Sequence, residues 1–233
     1  MFIQLFSPFL DLDIVKFLLG GLALTIEATI YSIILSVAAG TILAMCRLSI
    51  FLPARILATI YIEAIRSLPT FLVVVFVYFS VYRLGYELPA TMAVVCGLTV
   101  YHSAKVAEVV RAGIQSVARG EIDASRALGL NYVQTMICIV LPQALRRMMP
   151  ALMNQLIICL KDTTLGSVVG LNELLRRSSI VYQNYFNPVQ TLMVVGAIYW
   201  ILCFGLSALS RYMLSTGSPK LRIKTNRSRV ISN

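Results

Sequence analysis

Charged residues are scarce in this 233-residue chain: Asp, Glu, Lys and Arg make up 13%, while 58% of residues are hydrophobic. Soluble domains carry about 25% charged and about 45–50% apolar residues. A water-soluble core of this length could not bury so much apolar surface. That excludes a soluble enzyme, a disordered regulator and a secreted domain held by disulfides. Histidine occurs once, at His102, so no imidazole cluster can hold a metal, and no Ser/His/Asp arrangement is discernible. The five cysteines (Cys46, Cys96, Cys138, Cys159, Cys203) stand alone, mostly inside apolar runs, and form no CxxC pair. They read as small hydrophobes. Gly-Lys never occurs as a dipeptide, so there is no GxxxxGK[ST] phosphate-binding loop. The N-terminus, MFIQLFSPFLDLDIVK, has no basic start and does not read as a cleavable signal peptide.

What the chain does have is long apolar runs. They imply an all-α, polytopic membrane protein of about five transmembrane helices, since each span needs roughly 20 mostly apolar residues. Apolar residues run on rather than alternate, which argues against a transmembrane barrel. The runs cover about residues 17–45, interrupted by Glu27; 56–82, carrying Glu63, Arg66 and Pro69; 88–110; a segment starting near Met148; and 189–213. The fourth is too short unless it continues through Lys161, Asp162, Thr163 and Thr164 to Gly170. A Lys–Asp pair then lies at membrane depth, in a re-entrant segment or facing a protein interior or water-filled cavity. Residues 1–16 form an outer N-terminal segment, 17–213 the transmembrane domain and 214–233 a basic tail. Ser36, Gly40 and Ala44 recur every four residues and read as helix packing.

The formal charge is +10. Five spans place most Lys and Arg on the side of the tail, leaving Lys16, Arg83, Arg176 and Arg177 opposite. The expected orientation is therefore N-out, C-in. The positive charge orients the chain and can touch anionic lipid; it is not a nucleic-acid footprint. Arg176 and Arg177 lie on an outer amphipathic segment from Asn172 to Phe186, which suits either an interfacial anchor or a contact for a substrate-delivery protein.

On the inner side, Gly120 to Pro142 reads as a helical hairpin. Residues 121–128 are good helix formers, and Gly129 suits the left-handed position that ends a helix. Asn131 and Gln134 form a capping-box pattern opening a second helix, which should end before or bend at Pro142. Ala124, Ala127 and Leu128 share a face on which a partner can dock closely.

These residues carry a resemblance. Asp123-Ala124-Ser125, Gly129, Ile139 and Leu141-Pro142 match the spacing of the EAA loop of ABC importer permeases, with Asp for Glu and Ser for the second Ala. Glu63-Ala-Ile-Arg66-Ser-Leu-Pro69, Arg111-Ala-Gly-Ile-Gln115-Ser, Leu141-Pro-Gln-Ala-Leu-Arg146 and Leu160-Lys-Asp-Thr-Thr-Leu165 resemble the polar amino acid (histidine/glutamine/glutamate) permeases, over about residues 17–213. The resemblance implies a type I, MetI-like transmembrane domain in a bacterial inner membrane. It implies coupling to two ATPase subunits through Gly120, Glu121, Asp123, Ala124, Ser125, Ala127, Leu128 and Gly129. The other implied partners are a second permease subunit, identical or not, and a periplasmic or lipid-anchored solute-binding protein. The chain would bind no cofactor of its own, ATP and Mg lying on the partner. The surroundings of Leu160–Gly166 look most like glutamate permeases.

The candidate substrate pathway is Glu63, Arg66, Pro69, Lys161, Asp162 and Thr163. Arg66 lies about ten residues, or about 15 Å, into the second run, near the middle of a core about 30 Å thick. A charge at such depth is normally paired or functional. Glu63, one turn earlier, is its natural partner, and Pro69 should free the Ile65 carbonyl. Arg66, that carbonyl and the Lys161–Asp162 region would meet a substrate amino acid; the plainer reading is a structural ion pair beside a packing kink.

Overall fold

The computed structural model describes Phe9 and residues 11–217, with side chains described as far as Tyr212. Most of the basic tail (Lys220, Arg222, Lys224, Arg227, Arg229) and most of the first ten residues lie outside the described residues. The described chain is helical: α1 (Leu12–Leu48), α2 (Leu52–Ser67), α3 (Thr70–Arg83), α4 (Ala90–Gln115), α5 (Arg119–Ala127), α6 (Tyr132–Thr135), α7 (Leu141–Asp162), α8 (Leu174–Tyr185) and α9 (Pro188–Gly217). Among the described residues, four helical stretches are long and apolar enough to cross a membrane, or five if α2 and α3 form one broken span.

The axis of the molecule is the α1–α4 pair. One face of α1 buries only small or hydroxyl-bearing residues near its centre: Thr25, Ala28, Thr29, Ser32, Ser36, Gly40 and Ala44. Such a face lets two backbones approach closely. At Gly40 a Cβ would sit 2.7 Å from the Ser103 carbonyl oxygen and 2.8 Å from Val106, so no larger residue fits. The core is stacked in layers along this pair. Ile14, Leu18, Leu174, Val181 and Val195 join α1, α8 and α9 at the outer end. Ala28, Val74, Val94, Leu98 and Cys159 follow, then Ala44, Ile62, Val106, Val110 and Met148. Val117, Val140 and Ala144 close the inner end.

One expectation needs correction and another is narrowed. The second apolar run is no straight span: α2 and α3 meet at an angle of 112° around Leu68-Pro69. Distance along α2 is therefore not depth along α3, and placing Arg66 by counting residues fails. Of the two outcomes expected at Pro142, an end or a bend, the end does not occur. The helix after the hairpin runs from Tyr132 to Val169 through a π-helical turn at Met136–Val140. There the Leu141 N–H reaches back to the Met136 carbonyl, five residues away. The wider turn accommodates a proline that lacks an N–H and crowds the preceding turn. The same helix carries on through Lys161 and Asp162 without a re-entrant turn, tightens at Thr163–Val169 and ends at Gly170, φ +89°.

Candidate functional site

The inner hairpin is built by local rules. The Gly129 N–H donates to the Arg126 carbonyl (2.9 Å) and the Leu130 N–H to the Ser125 carbonyl (3.1 Å). With Gly129 at φ +80°, this is the two-bond glycine stop that satisfies the last carbonyls of α5. The reciprocal capping box then opens α6: the Gln134 N–H donates to Asn131 Oδ1, and the Asn131 N–H to Gln134 Oε1, each at 2.9 Å. Both features stand where the sequence places them.

Gly120, Glu121, Asp123, Ala124, Ala127, Leu128 and Gly129 are all exposed, and Ser125 alone of the eight expected coupling residues is buried. The Ser125 hydroxyl lies 2.9 Å from that of Thr135. The departure from Ala at this position thus supplies a hydrogen bond that closes the hairpin. Leu128 is 82% exposed and Tyr132 71%. With Val133 and Ile137, also exposed, they form an apolar surface at the hairpin tip that none of the described residues covers. Ile122 packs against the Val117, Val140 and Ala144 layer, and Gln143 donates to Glu121. Arg147 donates to the Ser116 carbonyl. The hairpin is thereby fastened to the inner ends of α4 and α7, so displacing it must move those helices.

Beside it lies a charge cluster that the sequence does not reveal. Glu108 on α4 receives Arg47 of α1, Arg66 of α2 at 3.7 Å and Arg111 of its own helix at 2.8 Å. Glu63 pairs with Arg47 at 3.2 Å rather than with Arg66. The expected Glu63–Arg66 pair is absent because each residue finds a partner on another helix. Nor is the Ile65 carbonyl free, since it accepts the Leu68 N–H at 3.3 Å. The Glu108–Arg111 spacing was visible at the end of the third apolar run, but nothing in the sequence joined it to Arg47 or Arg66.

Asp162 lies 3.3 Å from Nε2 of the fully buried His102. Lys161 is exposed. Thr163 is buried, and its hydroxyl donates to the Leu160 carbonyl at 2.7 Å. No hydrogen bond or ion pair joins Arg66 to Lys161 or Asp162 among the described residues. Glu27 is exposed on α1. Among the described residues no group of three His, Cys, Asp or Glu side chains could hold a metal ion.

At the outer end, Glu173 caps α8 by accepting the Leu175 and Arg176 N–H groups, each at 2.7 Å. Tyr199 of α9 donates to the same carboxylate at 3.3 Å. Burial pushes its pKa up from the ordinary value, against these hydrogen bonds. Arg177 donates to the Phe17 carbonyl at 2.7 Å and covers the Phe17 ring. It therefore ties α8 to α1, whereas Arg176 is exposed.

Residues 36–215 match the family described as the binding-protein-dependent transport system inner membrane component. The chain is 36% identical over 200 residues to the probable glutamine ABC transporter permease protein GlnP of Bacillus subtilis, covering 84% of this chain and 91% of that protein. It is equally identical over 214 residues to the glutamate transport system permease protein GluD of Corynebacterium glutamicum, covering 88% and 76%. The crystal structure of an amino acid ABC transporter with histidines superposes with a TM-score of 0.83 at 30% identity, covering 87% of this chain and 94% of that one. An inward-facing methionine ABC transporter shares the fold, with a TM-score of 0.69 at 22% identity, over 88% and 96% of the two chains. This multi-pass chain therefore belongs to the binding-protein-dependent transport system inner membrane component family, as a permease subunit of an amino acid ABC importer.

Proposed function

We propose that this permease imports a polar amino acid, glutamate or a close relative, and is driven through the α5–α6 hairpin by ATPase subunits on separate chains. The observation that carries the reading is the exposed apolar tip, Leu128, Tyr132, Val133 and Ile137, on a hairpin fastened to α4 and α7. Water-exposed apolar side chains clustered this way suit a protein partner. A rigid anchorage lets that partner's movement reach the spans. Two ATPases, a second permease subunit and an outer solute-binding protein complete the assembly, with N-out, C-in orientation. ATP and Mg belong to the ATPases.

The solute passes the α2–α3 break, where Arg66 and Pro69 lie, and the Lys161–Asp162 pair. A broken helix within a membrane domain is a recurrent place for transporters to hold solute. Glutamate is favoured by the Leu160–Gly166 stretch and by a glutamate permease among the relatives; the glutamine relative is as similar.

Reconstitution in proteoliposomes tests this. Uptake of labelled glutamate should require both ATP and the solute-binding protein. Passive flux without nucleotide would make the chain a channel and overturn the proposal.

A further inference from the structure

Lys105 lies in the inner half of α4, about ten residues, or about 15 Å, from its inner end. Its ammonium rests against the Tyr101 ring, 5.4 Å from the centroid, and no carboxylate of the described residues lies within 4 Å of it. Tyr101, Lys105 and Glu108 recur at i, i+4 and i+7 and so share one strip of the helix. Glu108 at the inner end of that strip contacts Arg66 beside the α2–α3 break. His102, one turn outward of Lys105 on the adjacent strip, contacts Asp162. Lys105 therefore stands between the two charge groups past which the solute is proposed to move.

The charge balance here is uneven. Arg47, Arg66, Lys105 and Arg111 are set against three carboxylates, Glu63, Glu108 and Asp162. The arginines engage Glu63 and Glu108 and Asp162 lies against His102, which leaves Lys105 without a carboxylate partner within 4 Å among the described residues. A half-buried ammonium in a spanning helix is costly unless it is paired or meets a charged solute. A tyrosine face offers a cation only part of what a carboxylate would.

We infer that Lys105 reads the side-chain carboxylate of an acidic amino acid and so sets the preference of this permease for glutamate-type solutes over their amides. An acidic amino acid carries two carboxylates and one ammonium. Lys105 takes the side-chain carboxylate, and Asp162 of α7, which lies against His102 one helical turn from Lys105 on α4, takes the ammonium. A neutral amide in the same place would leave the lysine unpaired, which is the basis of discrimination. The inference rests on the proposed route past Arg66 and Asp162.

The test is direct binding to the purified permease–ATPase complex without its solute-binding protein, so that selectivity at the permease is read alone. Labelled L-glutamate is displaced by unlabelled L-glutamate or L-glutamine. Wild type should prefer glutamate. Lys105→Met should weaken glutamate binding about tenfold with glutamine little changed, and Lys105→Arg should restore most of the preference. Equal loss for both solutes, or no change in either, would overturn the inference. So would a wild-type complex that binds the amide as well as the acid, a readout that needs no variant to fold. Failure of the wider proposal looks different: wild type would then show no uptake dependent on ATP and binding protein for any amino acid.

Discussion

The hydroxyls of Ser125 and Thr135 lie 2.9 Å apart, both buried, one on α5 and the other on α6. This is the side-chain hydrogen bond that holds the two arms of the hairpin together, across the Gly129 stop. Ser125→Ala leaves the Thr135 hydroxyl buried without that partner, which costs about 1 kcal/mol. Because the hairpin tip carries the proposed docking surface, the loss should appear as loosened coupling: solute-stimulated ATP hydrolysis falls severalfold while membrane insertion is unaffected. Thr135→Val should do the same. The double variant should be no worse than either single one, because the two side chains share one interaction.

Gly129 tests the backbone of the same hairpin. A Cβ there meets nothing within 4 Å, so any defect comes from conformation and not from collision. At φ +80° a β-branched side chain is strained by about 1–2 kcal/mol. Gly129→Val should abolish uptake and stimulated ATP hydrolysis in a protein that still inserts, whereas Gly129→Asn, which tolerates left-handed backbone, should keep much of both. Stimulation at the wild-type level in the valine variant would remove the hairpin from the coupling path.

The hairpin was legible in the sequence because its determinants are local: a glycine stop and a capping box act within a few residues. The α2–α3 break was half legible. Pro69 marks a break, but the 112° turn is set by packing at a distance, with Ile62 in the inner layer and Val74 one layer further out. The Glu63–Arg66 expectation failed for a related reason. A pair one turn apart on an exposed helix gains only about 0.2–0.5 kcal/mol, and carboxylates and guanidiniums on α1 and α4 outcompete it. The bond of the Thr163 hydroxyl to the Leu160 carbonyl was not legible either, because composition does not disclose when a hydroxyl satisfies itself on a nearby backbone carbonyl.

Glu108 is the hub that this local reasoning missed. Its side chain is 17% exposed and meets three guanidiniums from three helices. Glu108→Gln keeps the shape but removes the carboxylate shared by Arg47, Arg66 and Arg111, leaving Glu63 as the one remaining carboxylate of the cluster, on Arg47, which should cost about 2–3 kcal/mol. The melting temperature of the detergent-solubilised complex should fall by several degrees. Arg47→Met should lower it too, and the Arg47→Met/Glu108→Gln double variant should lose less than the two single losses combined. Strict additivity would mean that the pair contributes nothing to holding α1 against α4.

Glu173 makes the outer end sensitive to pH in a direction opposite to most carboxylates. Its pKa is raised from 4.5, chiefly by burial, so the folded chain keeps the proton to higher pH than the unfolded chain does. The stability that this group contributes is fully present below pH 4.5 and is lost as pH rises through the raised value. Glu173→Gln removes the titration, although its one amide oxygen can accept only one of the Leu175 and Arg176 N–H groups that the carboxylate holds on separate oxygens, a loss that does not change with pH. The stability difference between Glu173→Gln and wild type should therefore shift in favour of the variant as pH rises from 4 to 7 (about the working range of carboxylate titration). Glu173→Ala instead removes the helix cap and the Tyr199 contact, costing about 1 kcal/mol or more at every pH. It should expose α8 to limited proteolysis from the outer face. Thermal melts of the three proteins across that range decide the matter: parallel curves for wild type and Glu173→Gln would show that the buried carboxyl does not titrate between the folded and unfolded values, and that only its capping bonds matter to the seating of α8.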